Sequence, residues 1–186
     1  MCLLERLALG AALLAAVPNA SITTLTTALA ADAPHFGKPV TAEDLAAWDI
    51  SIGPDGAGLP PGKGTVAQGE TVYAAKCQAC HAEKGAGGPN DRLVGGAGTI
   101  APDKAPAKTV GSYWPYATTL FDYVRRAMPW DRPKSLTDDE VYAVAAYVLY
   151  LNGVIGQDAV LDAQSLPKVK MPNREGFTAF PRWPPK

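Results

Sequence analysis

Cysteine and histidine are scarce in this chain of 186 residues, which holds three of the first and two of the second. A structural zinc site takes four side chains and a disulfide framework takes several pairs, so neither is well supplied. An excess of one charge is missing too. The formal net charge of −1 gives no reason to expect nucleic acid or an anionic membrane as partner. The apolar run Leu7–Val17 falls short of the roughly 20 residues that a membrane span takes. No convincing parallel strands can be read, and the glycine-rich "EKGAGGPNDRLVGGAGT" lacks the G-K-[ST] ending of a phosphate loop.

Glycine (18) and proline (17) are plentiful instead, and they cluster outside the best helical patterns. That predicts short helices joined by long, shaped loops. Residues 1–30 are expected to be an export signal. Arg6, offset by Glu5, precedes the apolar run, and Ala28-Leu29-Ala30 offers a cleavage site before Ala31. The rival reading is an uncleaved anchor. Cleavage removes Cys2 and leaves Cys77 and Cys80 in an oxidising compartment outside the cytoplasmic membrane. After it the chain divides into an N-terminal extension (31–66), a central domain (67–153) and a Pro-rich C-terminal extension (154–186).

Within "KCQACHAEKG" two cysteines stand three apart, with His81 directly after the second. Zinc would have to recruit His35 from a distant Pro/Gly-flanked segment. A thioredoxin-like C-x-x-C belongs at a strand-to-helix junction, and no such strand is legible. Covalent haem uses every residue: Cys77 and Cys80 form the thioethers and His81 becomes the proximal iron ligand. If the helix through Ala74–Lys76 runs on into the motif, all three share one side. A haem-free disulfide module is the weakest alternative.

A second axial ligand would be methionine or histidine. Met128 ends the pattern "YATTLFDYVRRAMP", whose Ala117, Leu120, Phe121 and Val124 share its apolar face, and Pro129 ends that helix. Met171 is the runner-up, and a core-filling role is the bland alternative for Met128. The first helix is expected over about 69–79. The last, "LTDDEVYAVAAYVLYLNG", has Thr137 as N-cap, Glu140 completing a capping box and Gly153 as its stop. It is apolar nearly all round and needs cover on both sides. A further short helix should start at Thr41. The tail from Leu166 to Lys186, carrying Phe177, Phe180 and Trp183, reads as an extended strap for a partner, with cover for that last helix as the alternative.

Cys77, Cys80, His81 and Met128, with Gly69, Tyr73 and Tyr147 at a helix crossing, resemble a class I c-type cytochrome. The resemblance implies an all-α fold of short helices and long loops around one covalent haem c. It also implies that the Pro89 carbonyl accepts the His81 ring N–H, although "GGPNDRL" alters the usual spacing. Trp114, Tyr113 and Tyr116 become candidates for bonding a haem propionate, with ordinary packing equally open. Most of the mature chain, including "VGSYWPYATTLFDYVRRAMPWDRPKSLTDDEVYAVAAYVLYLNG", is similar to the cytochrome subunits of sulfite and sulfane dehydrogenases of bacterial sulfur oxidation. Those subunits are periplasmic and work with a molybdenum-cofactor subunit. The resemblance therefore implies an electron-transfer protein rather than an enzyme, with that subunit as donor and a downstream cytochrome or terminal acceptor. A free-standing carrier, or a haem enzyme or sensor with an open iron position, is the alternative.

Overall fold

The computed structural model describes residues 37–46 and 48–177. The expected export signal, Cys2, His35, Phe180 and Trp183 lie outside them. In the first compact unit, helix α1 (Ala42–Ala46) starts at Thr41 as the sequence suggests. The Asp44 amide bonds Thr41 Oγ1 and the Thr41 amide bonds Asp44 Oδ2, both at 3.1 Å. The Thr41 bonds, from backbone before side chain, hold the Asp44 carboxyl below its usual value.

Residues 48–177 belong to a second unit. Strand β1 (Lys63–Thr65) leads into α2 (Val66–Lys76), followed by the single turn α3 (Gln78–His81). After a long loop come α4 (Ala117–Ala127), α5 (Asp138–Leu151) and strand β2 (Val160–Asp162). The fold is mainly helical, as expected. Its two short strands pair antiparallel, Lys63 with Asp162 and Thr65 with Val160, a feature too short to show a period in the sequence.

Helix α5 is the centre of the packing. Val141 through Leu149 are all buried, and α2, α4, β1 and β2 pack around them. Both of its ends are capped as the sequence predicts. Thr137 and Glu140 form a reciprocal capping box. Gly153, at φ 69°, lets the Gly153 amide reach Tyr150 O (2.8 Å) and the Val154 amide reach Leu149 O (3.0 Å), a Schellman closure.

Two glycines set how closely α5 is approached. A Cβ on Gly69 would meet the Ala143 carbonyl oxygen and come within 2.7 Å of Tyr147 Cβ. One on Gly64, in β1, would meet the Ala143 backbone nitrogen and lie 2.7 Å from its Cβ. Beside the crossing the rings of Tyr73 and Tyr147 pack at 5.3 Å, and the Tyr73 hydroxyl donates to Ala82 O at 2.9 Å. On another side of α5, Phe121 of α4 meets Tyr142 at 4.4 Å, and the Tyr142 hydroxyl donates to Pro60 O at 2.9 Å. Burial pushes both phenols, Tyr73 and Tyr142, up to about 12.

Helix α2 departs from expectation at both ends. It begins at Val66 rather than near Gly69, because Thr65 and Gln68 make a second capping box. It ends at Lys76, since Cys77 leaves helical geometry at φ −124°. In the C-terminal extension Leu161, Leu166 and Met171 are buried in the same core as α5, so residues 161–171 cover the core. Phe177 is exposed, and the other expected strap anchors, Phe180 and Trp183, lie outside the described residues. Ser165 and Asp162 fold the covering stretch into a turn, the Ser165 amide donating to Asp162 Oδ1 at 2.8 Å.

Adding one methyl by Gly69→Ala forces backbone against backbone, so it should lower the unfolding free energy by about 3 kcal/mol. Leu166→Ala, deep in the core, should cost a similar amount, about 3 kcal/mol. Denaturant midpoints of both variants against the parent check these values, and an unchanged Gly69→Ala midpoint would contradict the crossing.

Candidate functional site

The C-x-x-C-H residues stand on a turn delivered by the crossing helix. Cys77 is at once the C-cap of α2, its amide on Tyr73 O at 2.9 Å, and the start of α3. Its carbonyl accepts from the amides of Cys80 (3.1 Å) and His81 (3.0 Å). The helix therefore bends at Cys77 instead of running straight through. The bend preserves the one-turn spacing of the three side chains that the chemistry needs.

Past His81 the chain reverses sharply. Ala82 and Lys84 take φ values of 59° and 53°, a left-handed region that is costly for residues with a Cβ. The loop then returns over the motif: the Gly87 amide bonds His81 O and the Asn90 amide bonds Cys80 O, each at 3.0 Å. These bonds occupy carbonyls that the end of a short helix leaves without partners.

The same return places the Asp91 carbonyl 2.8 Å from His81 Nδ1. A carbonyl only accepts, so Nδ1 carries the proton in this bond and Nε2 presents its lone pair. Pro89 had been expected in that role. It lies instead in the tight turn closed by the Gly88 amide on Asn90 O (3.1 Å), two residues before the acceptor. The altered spacing of "GGPNDRL" is thus absorbed by moving the acceptor from Pro89 to Asp91.

Of the two motif cysteines, Cys77 is half-buried and Cys80 exposed. Burial pushes the Cys77 thiol up to about 11, with Cys80 adding to the shift and Lys76 opposing it. A reactive C-x-x-C needs a lowered value, so the environment does not prepare a redox thiolate. Among the described residues no three His, Cys, Asp or Glu side chains gather as a metal-holding group. The donor set that does exist, two thiols and a tautomer-fixed imidazole on one turn, fits haem c.

Met128 is the C-cap of α4, its amide on Val124 O at 3.0 Å. It is half-buried and packs on the core with Leu120, Phe121 and Val124. Met171 is buried in that core as well. Trp114 stands edge-on to Tyr123 at 5.7 Å, and the Arg174 guanidinium lies 4.2 Å from the Tyr116 ring centre. Packing partners for both rings are therefore visible.

Three supports of the motif were missed in the sequence. One is the Asp91 carbonyl. The second is Asn152, whose side chain accepts from the Gly95 amide (3.1 Å) and donates to Leu93 O (3.2 Å), tying the glycine-rich loop to α5. The third is the pair Lys76–Glu140 at 2.6 Å, which joins the end of α2 to the capping box of α5. No sequence signal links partners so far apart. A Lys six residues after Glu70 looks like any solvated charge.

The family model described as cytochrome C oxidase, cbb3-type, subunit III matches residues 64–148, from β1 through most of α5. A chain of the crystal structure of the sulfane dehydrogenase SoxCD from Paracoccus pantotrophus is 41% identical, with a TM-score of 0.72. The match covers 78% of this chain and 72% of that one. The chain belongs to the c-type cytochromes. No curated protein sequence matches it. The cytochrome is thus an electron carrier by family, and no described helix is long and apolar enough to cross a membrane.

The Lys76–Glu140 pair also gives this cytochrome a pH dependence. Lys76 first, then the Thr137 amide, hold the Glu140 carboxyl below the usual glutamate value. A carboxyl lowered on folding stabilises at pH above its unfolded value, and that contribution is lost as pH falls through the folded one. Both side chains are partly exposed, so the pair is worth about 1 kcal/mol. Glu140→Gln should lower stability by that amount at pH 7 and by little at pH 3. Urea unfolding at the two pH values measures the difference, and equal losses would refute the linkage.

Proposed function

We propose that this cytochrome binds one haem through Cys77 and Cys80, with His81 and Met128 as axial ligands. In this reading it receives electrons from a molybdenum-cofactor sulfite or sulfane dehydrogenase subunit in the periplasm. It then passes them to a downstream cytochrome or terminal acceptor. The observation that carries the reading is the His81 Nδ1 bond to a backbone carbonyl, which leaves Nε2 free as a ligand. The likeness to a sulfane dehydrogenase chain over 78% of this one supports the partner class. The export signal read in residues 1–30 supports the compartment.

Haem c supplies a one-electron iron couple whose potential depends on axial ligand, hydrogen bonding and burial. The chain's own part is to fix those three. Asp91 O orients the imidazole. Pro129 ends α4, so that Met128 leaves the helix in extended geometry, φ −115° and ψ 146°. Tyr73, Val148 and Phe121 keep the surrounding core closed.

Replacing both Cys77 and Cys80 by Ala should abolish covalent haem, read by haem stain on a denaturing gel; normal staining would sink the attachment. Met128→Ala should open the iron to cyanide or imidazole and lower the potential, whereas Met171→Ala should do neither. The reverse pattern would hand the ligand role to the tail. Ready ligand binding by the unmutated protein would favour a sensor or enzyme with an open iron position.

A further inference from the structure

Three of the large apolar side chains left in water, Trp130, Tyr123 and Trp48, lie on α4, just past it, or on a segment bonded to it. Trp130, two residues past Met128, is 82% exposed. Tyr123, on the last two turns of the same helix, is 48% exposed, and the edge of Trp114 braces its ring. Trp48, 84% exposed, belongs to a segment tethered to α4, because Arg126 Nη2 donates to Ile50 O at 3.1 Å. Single exposed aromatics are ordinary, whereas three on or bonded to one helix exit are the composition of an interface core.

Most of the charges on α4 and just after it are paired within the fold. Arg125 pairs with Asp138 at 2.9 Å, Arg126 with Asp122 at 2.8 Å and Arg132 with Asp131 at 3.3 Å. Among the described residues, Lys134 of the cations in 122–138 has no such carboxylate, and Asp49, beside Trp48, has no such cation. A partner that docked by charge would find little unpaired charge to meet. A partner with an apolar, weakly charged face would match this surface.

We propose that Trp130 anchors the surface on which the electron-donating protein docks, and that the donor presents a weakly charged apolar face there. The assignment rests on the reading of Met128 as iron ligand and of a molybdenum-cofactor subunit as donor. Electron transfer slows steeply with distance, so contact beside an axial ligand is where a donor gains most. Trp130 can supply its large ring at little cost in side-chain freedom, as interface anchors do.

The test is stopped-flow reduction of the haem-loaded cytochrome by the molybdenum-cofactor dehydrogenase purified from the same cells and charged with its sulfur substrate. Trp130→Ala should lower the second-order rate about tenfold, an anchor-sized effect, and Trp130→Phe should keep most of it. Reduction by ascorbate, the visible spectrum and the midpoint potential should not change. Val160→Ala, an exposed apolar position on β2, should behave as the parent. The parent rate should vary little between low and physiological ionic strength. A parent rate in Trp130→Ala, or a steep salt dependence, would overturn the docking surface. So would binding to phosphatidylcholine vesicles that Trp130→Ala abolishes while protein reduction is unchanged. A parent cytochrome that the dehydrogenase does not reduce would instead overturn the donor reading, and with it the occupant named here.

Discussion

Everything in the second unit hangs on the bare backbone contact at Ala143. Gly64 approaches it from a strand and Gly69 from a helix, five residues apart, because neither carries a side chain to hold α5 away. That double approach fixes the axis of α2. An axis fixed at Gly69 determines where Cys77 emerges two turns later, and hence where a covalently bound group attaches. The Tyr73–Tyr147 ring contact and the Lys76–Glu140 pair then hold the same helix at its middle and its end. Close packing costs nothing in desolvated charge at Ala143, so the position is set by sterics and merely trimmed by electrostatics.

The loop after the motif does by hydrogen bonding what the crossing does by shape. Left-handed geometry at Ala82 and Lys84 is unfavourable taken alone. It persists because the returning strand of loop satisfies the carbonyls of Cys80 and His81 and supplies Asp91 O to the imidazole. Strain in the backbone is thereby exchanged for a fixed ring orientation. Glycines at 85 and 87, both at positive φ, let the loop turn tightly enough to come back.

What could be read in the sequence was local. The capping box at Thr137, the stop at Gly153, the apolar face of α4 and the three donors of the motif are each encoded within a few neighbouring residues. The buried stretch Val141–Leu149 also announced itself, since a helix without a polar face must be surrounded. What escaped was non-local or disguised. Thr65 and Gln68 form a capping box, but Gly69 directly behind them weakens the helical pattern just where the helix starts. The strands are three residues each, below any period. Asp91 acts through its carbonyl, which every residue has, so its identity carries no mark of the role. Leu161, Leu166 and Met171 are spaced five apart among prolines and charges, which reads as extended chain until a core is there to receive them.

The pairing of Lys63–Thr65 with Val160–Asp162 makes the segment just after α5 part of the fold. A piece cut to the recognisable haem-binding stretch, stopping where α5 stops, would keep β1 as an open edge with unpaired amides and carbonyls. It would also uncover the apolar surface that Leu161 and Leu166 close. Such a fragment invites strand addition from a neighbouring molecule, and its aggregation would say nothing about the haem site. The natural unit for cutting, fusing or transplanting runs from before the first strand to beyond Met171.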